Sequence, residues 1–112
     1  MAITCQEYNQ VCVLTLSADF VGGEIAQARN CVEEQIDKRH IANFVFDFEK
    51  AAFIDSEGLE ALLLVKRRCE ELFGQVKLVN LDEHCRKILE LTRLDHRFEC
   101  HNDLAAALKT MG

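Results

Sequence analysis

The sequence predicts an α/β fold: a mostly parallel central sheet of four to five strands, an N-terminal antiparallel hairpin strand and about four helices. Two observations carry this. Short apolar, β-branched or aromatic runs alternate along the chain with segments whose apolar residues recur at helical spacing, the pattern of strand–crossover–strand units. The second run, Val11 to Leu16, is apolar on both faces, as a covered central strand is. The length of 112 residues fits one domain over residues 1–112, and no repeat, low-complexity segment or linker divides it.

Ile3 to Tyr8 and Val11 to Leu16 flank Asn9-Gln10 and read as a hairpin. Gly22-Gly23 breaks the chain before a helix carrying Ile25, Ala28, Val32 and Ile36. Phe44 to Phe48 is the next strand, with Asp47 its charged interruption. A loop from Glu49 to Ile54 leads to Asp55-Ser56-Glu57-Gly58-Leu59, which opens a long helix with Leu59, Leu62, Leu63, Cys69 and Phe73 at helical spacing. Gly74 is its expected stop signal. Gln75 to Val79 is a further strand, and Asn80 with Glu83 resembles a capping box opening a helix with Cys85, Ile88 and Leu89. A short strand near Arg97 to Cys100 and a helix from Asn102 to about Lys109 complete the order.

The net charge of −6 argues against a nucleic-acid groove and against docking on an anionic membrane. No apolar run approaches the ~20 residues of a membrane span, and the first residues lack a secretion signal, so the expected location is cytoplasmic. Six cysteines (Cys5, Cys12, Cys31, Cys69, Cys85 and Cys100) show no CxxC pair and lie mostly in apolar patterns, which favours buried reduced thiols. Cys5 and Cys12 face each other if the hairpin turn centres on Tyr8-Asn9, and separate if it centres one residue later. Neither a metal nor a cofactor is expected: the four histidines pair with no ligand at useful spacing, and Gly22-Gly23 is no phosphate loop.

In an open α/β sheet, ligands and partners meet the loops at the carboxyl ends of the strands. Two such loops are candidates, Ser17 to Glu24 and Glu49 to Leu59. Asp55-Ser56 at a helix start reads most simply as an N-cap. An enzyme is disfavoured, because no base accompanies Ser56 and no GxSxG is present.

The run Asn43 to Glu49, followed by Phe53-Ile54-Asp55-Ser56-Glu57-Gly58-Leu59-Glu60-Ala61-Leu62, closely resembles the signature of STAS domains. More narrowly it is similar to the single-domain anti-sigma factor antagonists of bacteria, and the element order extends the resemblance over essentially the whole chain. The resemblance implies a phosphorylation-controlled partner switch. Ser56 would be the phosphoacceptor of a GHKL-type serine kinase that is itself the anti-sigma factor, and a PP2C-type phosphatase would restore the binding form. The implied partner-binding residues are Asp19, Phe20, Val21, Gly22, Asp55, Ser56, Glu57 and Gly58. Family antagonists carry an aspartate after the second strand, where this chain has Val21; either Asp19 stands in from a shifted position or the function is missing. Glu57 replaces the usual small residue beside the serine. A STAS subunit of an ABC lipid transporter, and a switch controlling secretion or biofilm formation, are the alternatives that the same resemblance implies.

Overall fold

The computed structural model describes residues 2–111. Its elements are β1 (Thr4–Tyr8), β2 (Val11–Thr15), α1 (Gly23–Arg39), β3 (Asn43–Asp47), α2 (Ser56–Glu71), β4 (Val76–Val79), α3 (Glu83–Leu91), β5 (Glu99–His101) and α4 (Leu104–Lys109). They form one five-stranded sheet in the order β1-β2-β3-β4-β5, with β1 antiparallel to β2 and every other neighbouring pair parallel. The expected architecture is the observed one, with element ends moved by one or two residues.

The hairpin turns on Asn9-Gln10, since Tyr8 pairs with Val11. Both turn residues have positive φ, 52° and 71°, as a two-residue type I′ connection requires. This register decides between the two placements of the cysteines: Cys5 lies opposite Leu14 and Cys12 opposite Glu7, so the two are diagonal neighbours on one face. All six cysteines are free thiols.

Period-2 alternation divides the sheet residues into two layers. Cys12, Leu14, Phe44, Phe46, Val76 and Leu78 face α1, α2 and α3, and with Ile25, Ala28, Val32, Ile36, Leu59, Leu62, Cys69, Cys85 and Leu89 they form the main core. Val11, Val13, Val45 and Val79 face the opposite side, where α4 covers them with Ala107, Leu104 and Leu108. Lys77, 3% exposed, lies in that second layer and reaches its cross-strand neighbour Glu99 at 2.6 Å and the Thr110 hydroxyl.

Three local expectations change. The left-handed residue that ends α2 is Phe73 (φ 63°), not Gly74; the Phe73 and Gly74 N–H groups donate to the Glu70 and Cys69 carbonyls in a Schellman closure. Phe73 therefore leaves the core and is 98% exposed, while Gly74 is required because a Cβ there would collide with the Ala42 carbonyl. The cap of α3 is Asp82, whose carboxylate accepts the Cys85 N–H at 2.8 Å; the Asn80 amide donates instead to Asp47. The last helix begins after Asp103, which accepts from the Ala106 N–H.

Candidate functional site

Because β2 to β5 run in one direction, the loops that follow β2 and β3 emerge at the same edge of the sheet. They are joined there. Phe20 forms a parallel bridge with Ile54, and its N–H donates to the Phe53 carbonyl at 2.9 Å. The Asp19 carboxylate accepts the Ala52 N–H at 2.8 Å. Glu24, in the first turn of α1, reaches back to the Ser17 and Ala18 N–H groups and the Ser17 hydroxyl, folding the first loop upon itself. Asp47 anchors the edge from beneath: one carboxylate oxygen accepts from the Glu49 N–H and the Asn80 amide, both at 3.0 Å.

The sequence places Asp55 and Ser56 together as cap candidates, and the structure separates them. Asp55 is the N-cap of α2, with extended backbone and a carboxylate that accepts the Gly58 N–H at 2.8 Å. Ser56 is the first residue of the helix, exposed, and among the described residues no hydrogen bond holds its hydroxyl. The serine does no capping work. It stands beside free N–H groups at the positive end of a sixteen-residue helix.

The other expected site residues divide by exposure. Asp19, Gly22 and Glu57 are exposed, and Val21 and Asp55 are half-buried. Phe20 is a core residue, 1% exposed, with edge-on contacts to Phe46 and Phe48 at centroid separations of 6.2 and 6.1 Å. Gly58 is also buried, against the Phe20 carbonyl and the Ile54 side chain. These two position the loops and offer a partner no side chain. Val21 carries no carboxylate to the site, whereas Asp19 does face the Ser56-bearing loop and is spent on the Ala52 backbone. Sequence reasoning did not single out Glu24, Asp47 or Phe53. Phe53 is 40% exposed and its ring lies 5.8 Å from that of His84 at the start of α3, which extends the surface toward that helix. Its place in an apolar-looking loop was the available signal.

Among the described residues no cluster of three or more His, Cys, Asp or Glu could hold a metal ion, and no helix is long and apolar enough to cross a membrane.

The family model for the STAS domain matches residues 2–107. The chain belongs to the STAS domain family. Solved structures agree on the fold. A Thermotoga maritima protein described as a candidate anti-sigma factor antagonist superposes with a TM-score of 0.83 at 17% identity, covering 97% of this chain and 93% of its own. An anti-sigma factor antagonist from Mycobacterium paratuberculosis gives 0.79 at 20% identity, covering 98% and 92%. The phosphorylated form of the Bacillus cell-fate determinant SpoIIAA gives 0.74 at 20%, covering 97% and 99%. No curated protein matches the chain. The STAS fold thus accounts for the chain from its hairpin to α4.

Proposed function

We propose that this STAS domain is a non-enzymatic anti-sigma factor antagonist that works as a partner switch, with Ser56 as the phosphoacceptor. The observation that carries the reading is the division of labour at the start of α2: Asp55 caps the helix and leaves the exposed Ser56 hydroxyl free for modification. A phosphoryl group adds about −1.5 to −2 charge, which a helix N-terminus accommodates without unfolding. Exposed Asp19, Glu49, Glu57 and Glu60 already make the surroundings acidic, relieved by Lys50. A partner suited to this surface offers basic groups, yet its contacts close around an unmodified serine. The phosphate adds bulk and repulsive charge at the centre of that contact, so binding is lost while the fold persists. In this reading a GHKL-type serine kinase that is also the anti-sigma factor binds and modifies Ser56, and a PP2C-type phosphatase reverses the step. The surface lies in the cytoplasm. Likeness to anti-sigma factor antagonists, SpoIIAA in its phosphorylated form among them, supports the reading.

Affinity capture from native cells with wild type, Ser56→Ala and Ser56→Asp tests it, with phosphopeptide mapping of residues 51–66. The expected result is a serine kinase held by wild type and Ser56→Ala, lost or weakened at least about tenfold by Ser56→Asp, and phosphate on Ser56. Recovery of the same transporter ATPase by all three, with Ser56 never modified, would replace the switch by a permanent transporter subunit. A kinase whose released client is not a sigma factor would keep the switch and change its output to secretion or biofilm control.

A further inference from the structure

Three of the six thiols meet beside the edge strand β1, and the partner switch uses none of them. The hairpin register sets Cys5 and Cys12 diagonally on the face of β1 and β2 that packs into the main core. The right-handed twist of paired strands keeps such a diagonal within side-chain reach. Helix α1 runs alongside β1, because Arg39 in its last turn reaches Glu7 of β1 at 3.6 Å. Cys31, about two turns earlier on α1, then stands level with Cys5, two residues before Glu7 on β1. The three side chains are hydrogen-bonded in a row, Cys31 and Cys12 each to Cys5. The other thiols are placed differently. Cys85 donates to the Ala51 carbonyl at 3.7 Å and Cys100 to that of Phe98 at 3.8 Å, while Cys69 is enclosed in the main core.

Within the row the sulfurs are not equivalent. The Cys5 S–H donates to Cys12 and holds that thiol below its ordinary range, against burial and the Glu7 carboxylate. The same bond, and then burial, pushes Cys5 up; burial and a hydrogen bond to Cys5 push Cys31 up to about 12. One sulfur of the row is therefore the nucleophile, and its neighbour keeps a proton to give. A sulfur that ionises readily beside a second thiol is the arrangement of a two-electron redox site. Cys12 is 1% exposed, but β1 beside it is paired on one side only and Cys5 is half-buried. A small oxidant thus needs only a local opening of the edge strand to reach it.

We propose that Cys12 and Cys5 form a redox site, which a hydroperoxide converts to a cross-strand disulfide. The Cys12 thiolate attacks the terminal peroxide oxygen and the O–O bond breaks. Cys12 becomes a sulfenic acid, and the departing alkoxide takes the proton that Cys12 gave up. The Cys5 sulfur then attacks the Cys12 sulfur, the S–O bond breaks, and hydroxide leaves with the Cys5 proton as water. Two thiols and one hydroperoxide give one disulfide, one alcohol and one water, with two electrons passing from sulfur to the peroxide. A thiol reductant reverses the change by exchange.

Hydrogen peroxide added to the folded full chain tests it, with the remaining thiols alkylated and the product digested by trypsin without reductant. Cleavage after Arg29 leaves Cys5 and Cys12 in one peptide, 1–29, and Cys31 in another, 30–38. The expected result is peptide 1–29 lighter by two hydrogens, restored by a thiol reductant and formed at least about tenfold faster than any other disulfide. Cys5→Ser keeps a hydroxyl to donate to Cys12 but cannot resolve the sulfenic acid. A cyclic dione that traps sulfenic acids should therefore label Cys12 in that variant at least about tenfold more than in wild type. All thiols left unmodified in wild type, a main product linking 1–29 to 30–38, or dione labelling of Cys31 ahead of Cys12 in the variant would each overturn the proposal.

Discussion

A methyl group at position 58 would stand 2.5 Å from the Phe20 carbonyl oxygen and 2.9 Å from Ile54 Cγ2. The first of these is backbone, held by the bridge between the two loops, so it has no flexible end to move aside. Gly58→Ala should therefore push α2 off the Ser17–Glu24 loop and destabilise the domain by about 2–4 kcal/mol, read as a lower urea midpoint. An unchanged midpoint would mean that the loops separate freely, and with them the basis for treating them as one surface. The opposite sign is expected at position 73. Its ring contributes no burial and its backbone is left-handed, so Phe73→Gly should stabilise the domain by about 0.5–1 kcal/mol in a thermal melt. A lower melting temperature there would show that the ring packs on its own chain. Gly58 and Gly74 are of the type that helix-opening and helix-ending patterns lead one to expect, but the requirement for each came from a neighbour distant in sequence, Phe20 and Ala42. Gly74 is the natural stop signal after Phe73, yet the close approach of Ala42 is what requires a glycine there, and the αL position passes to the phenylalanine.

At the scale of elements, the helices were legible because their apolar faces repeat at 3.6 residues: Ile25, Ala28, Val32 and Ile36 of α1 are all buried, as are Leu59, Leu62 and Cys69 of α2. What local pattern could not assign was which polar residue caps and which bridges. Asn80 looked like a cap and is instead tied to Asp47 of β3, a partner 33 residues away. The sheet–α4 layer was equally hidden, because a lysine inside a strand reads as an exposed residue until its partners are known. Hydrogen bonds from Lys77 and then His101 hold the Glu99 carboxyl below the usual carboxylate range. A depressed carboxyl contributes its stabilisation above the unfolded-state pKa, about 4.3, and loses it as pH falls through the folded-state value. The protection factors of the α4 amides, which remove the intrinsic pH dependence of exchange, should accordingly fall below about pH 4 in wild type. Glu99→Gln removes that acid dependence and leaves α4 looser at neutral pH, by about 1–2 kcal/mol, since the ammonium of Lys77 then lacks its counter-charge. Lys77→Met, which removes the buried charge itself, should cost less than Glu99→Gln. Equal acid sensitivity in wild type and Glu99→Gln would place the control of α4 elsewhere.

Across the whole molecule, the two edges of the sheet have opposite characters that follow from one topological fact. Parallel strands send every βα loop to one edge, where Ser56 and the acidic side chains gather, and leave the αβ returns with the exposed Phe73 at the other. The core between them is unusual in holding thiols where larger aliphatic residues would serve. Burial pushes Cys69, fully buried in the main layer, up to about 12, and Cys85 and Cys31 likewise to about 12. A hydrogen bond with Cys12 raises the Cys5 thiol further still and lowers that of Cys12. A thiol whose folded-state pKa exceeds its ordinary value of 9.0 contributes fully below that value, and its contribution is lost as pH rises toward the folded one. The domain should thus weaken between pH 9 and 12, a window set by the thiols themselves. Urea melts at stepped pH measure this, with the double variant Cys69→Ala and Cys85→Ala as the control. The variant starts lower at pH 7, by about 1–3 kcal/mol for the lost packing, and then declines less steeply above pH 9 than wild type. Parallel declines would assign alkaline unfolding to other groups. Slow alkylation of native Cys69, Cys85 and Cys31 at pH 8, against rapid labelling of the same thiols in urea, is the same prediction seen kinetically, because at these three positions the thiolate that reacts is the species the fold disfavours.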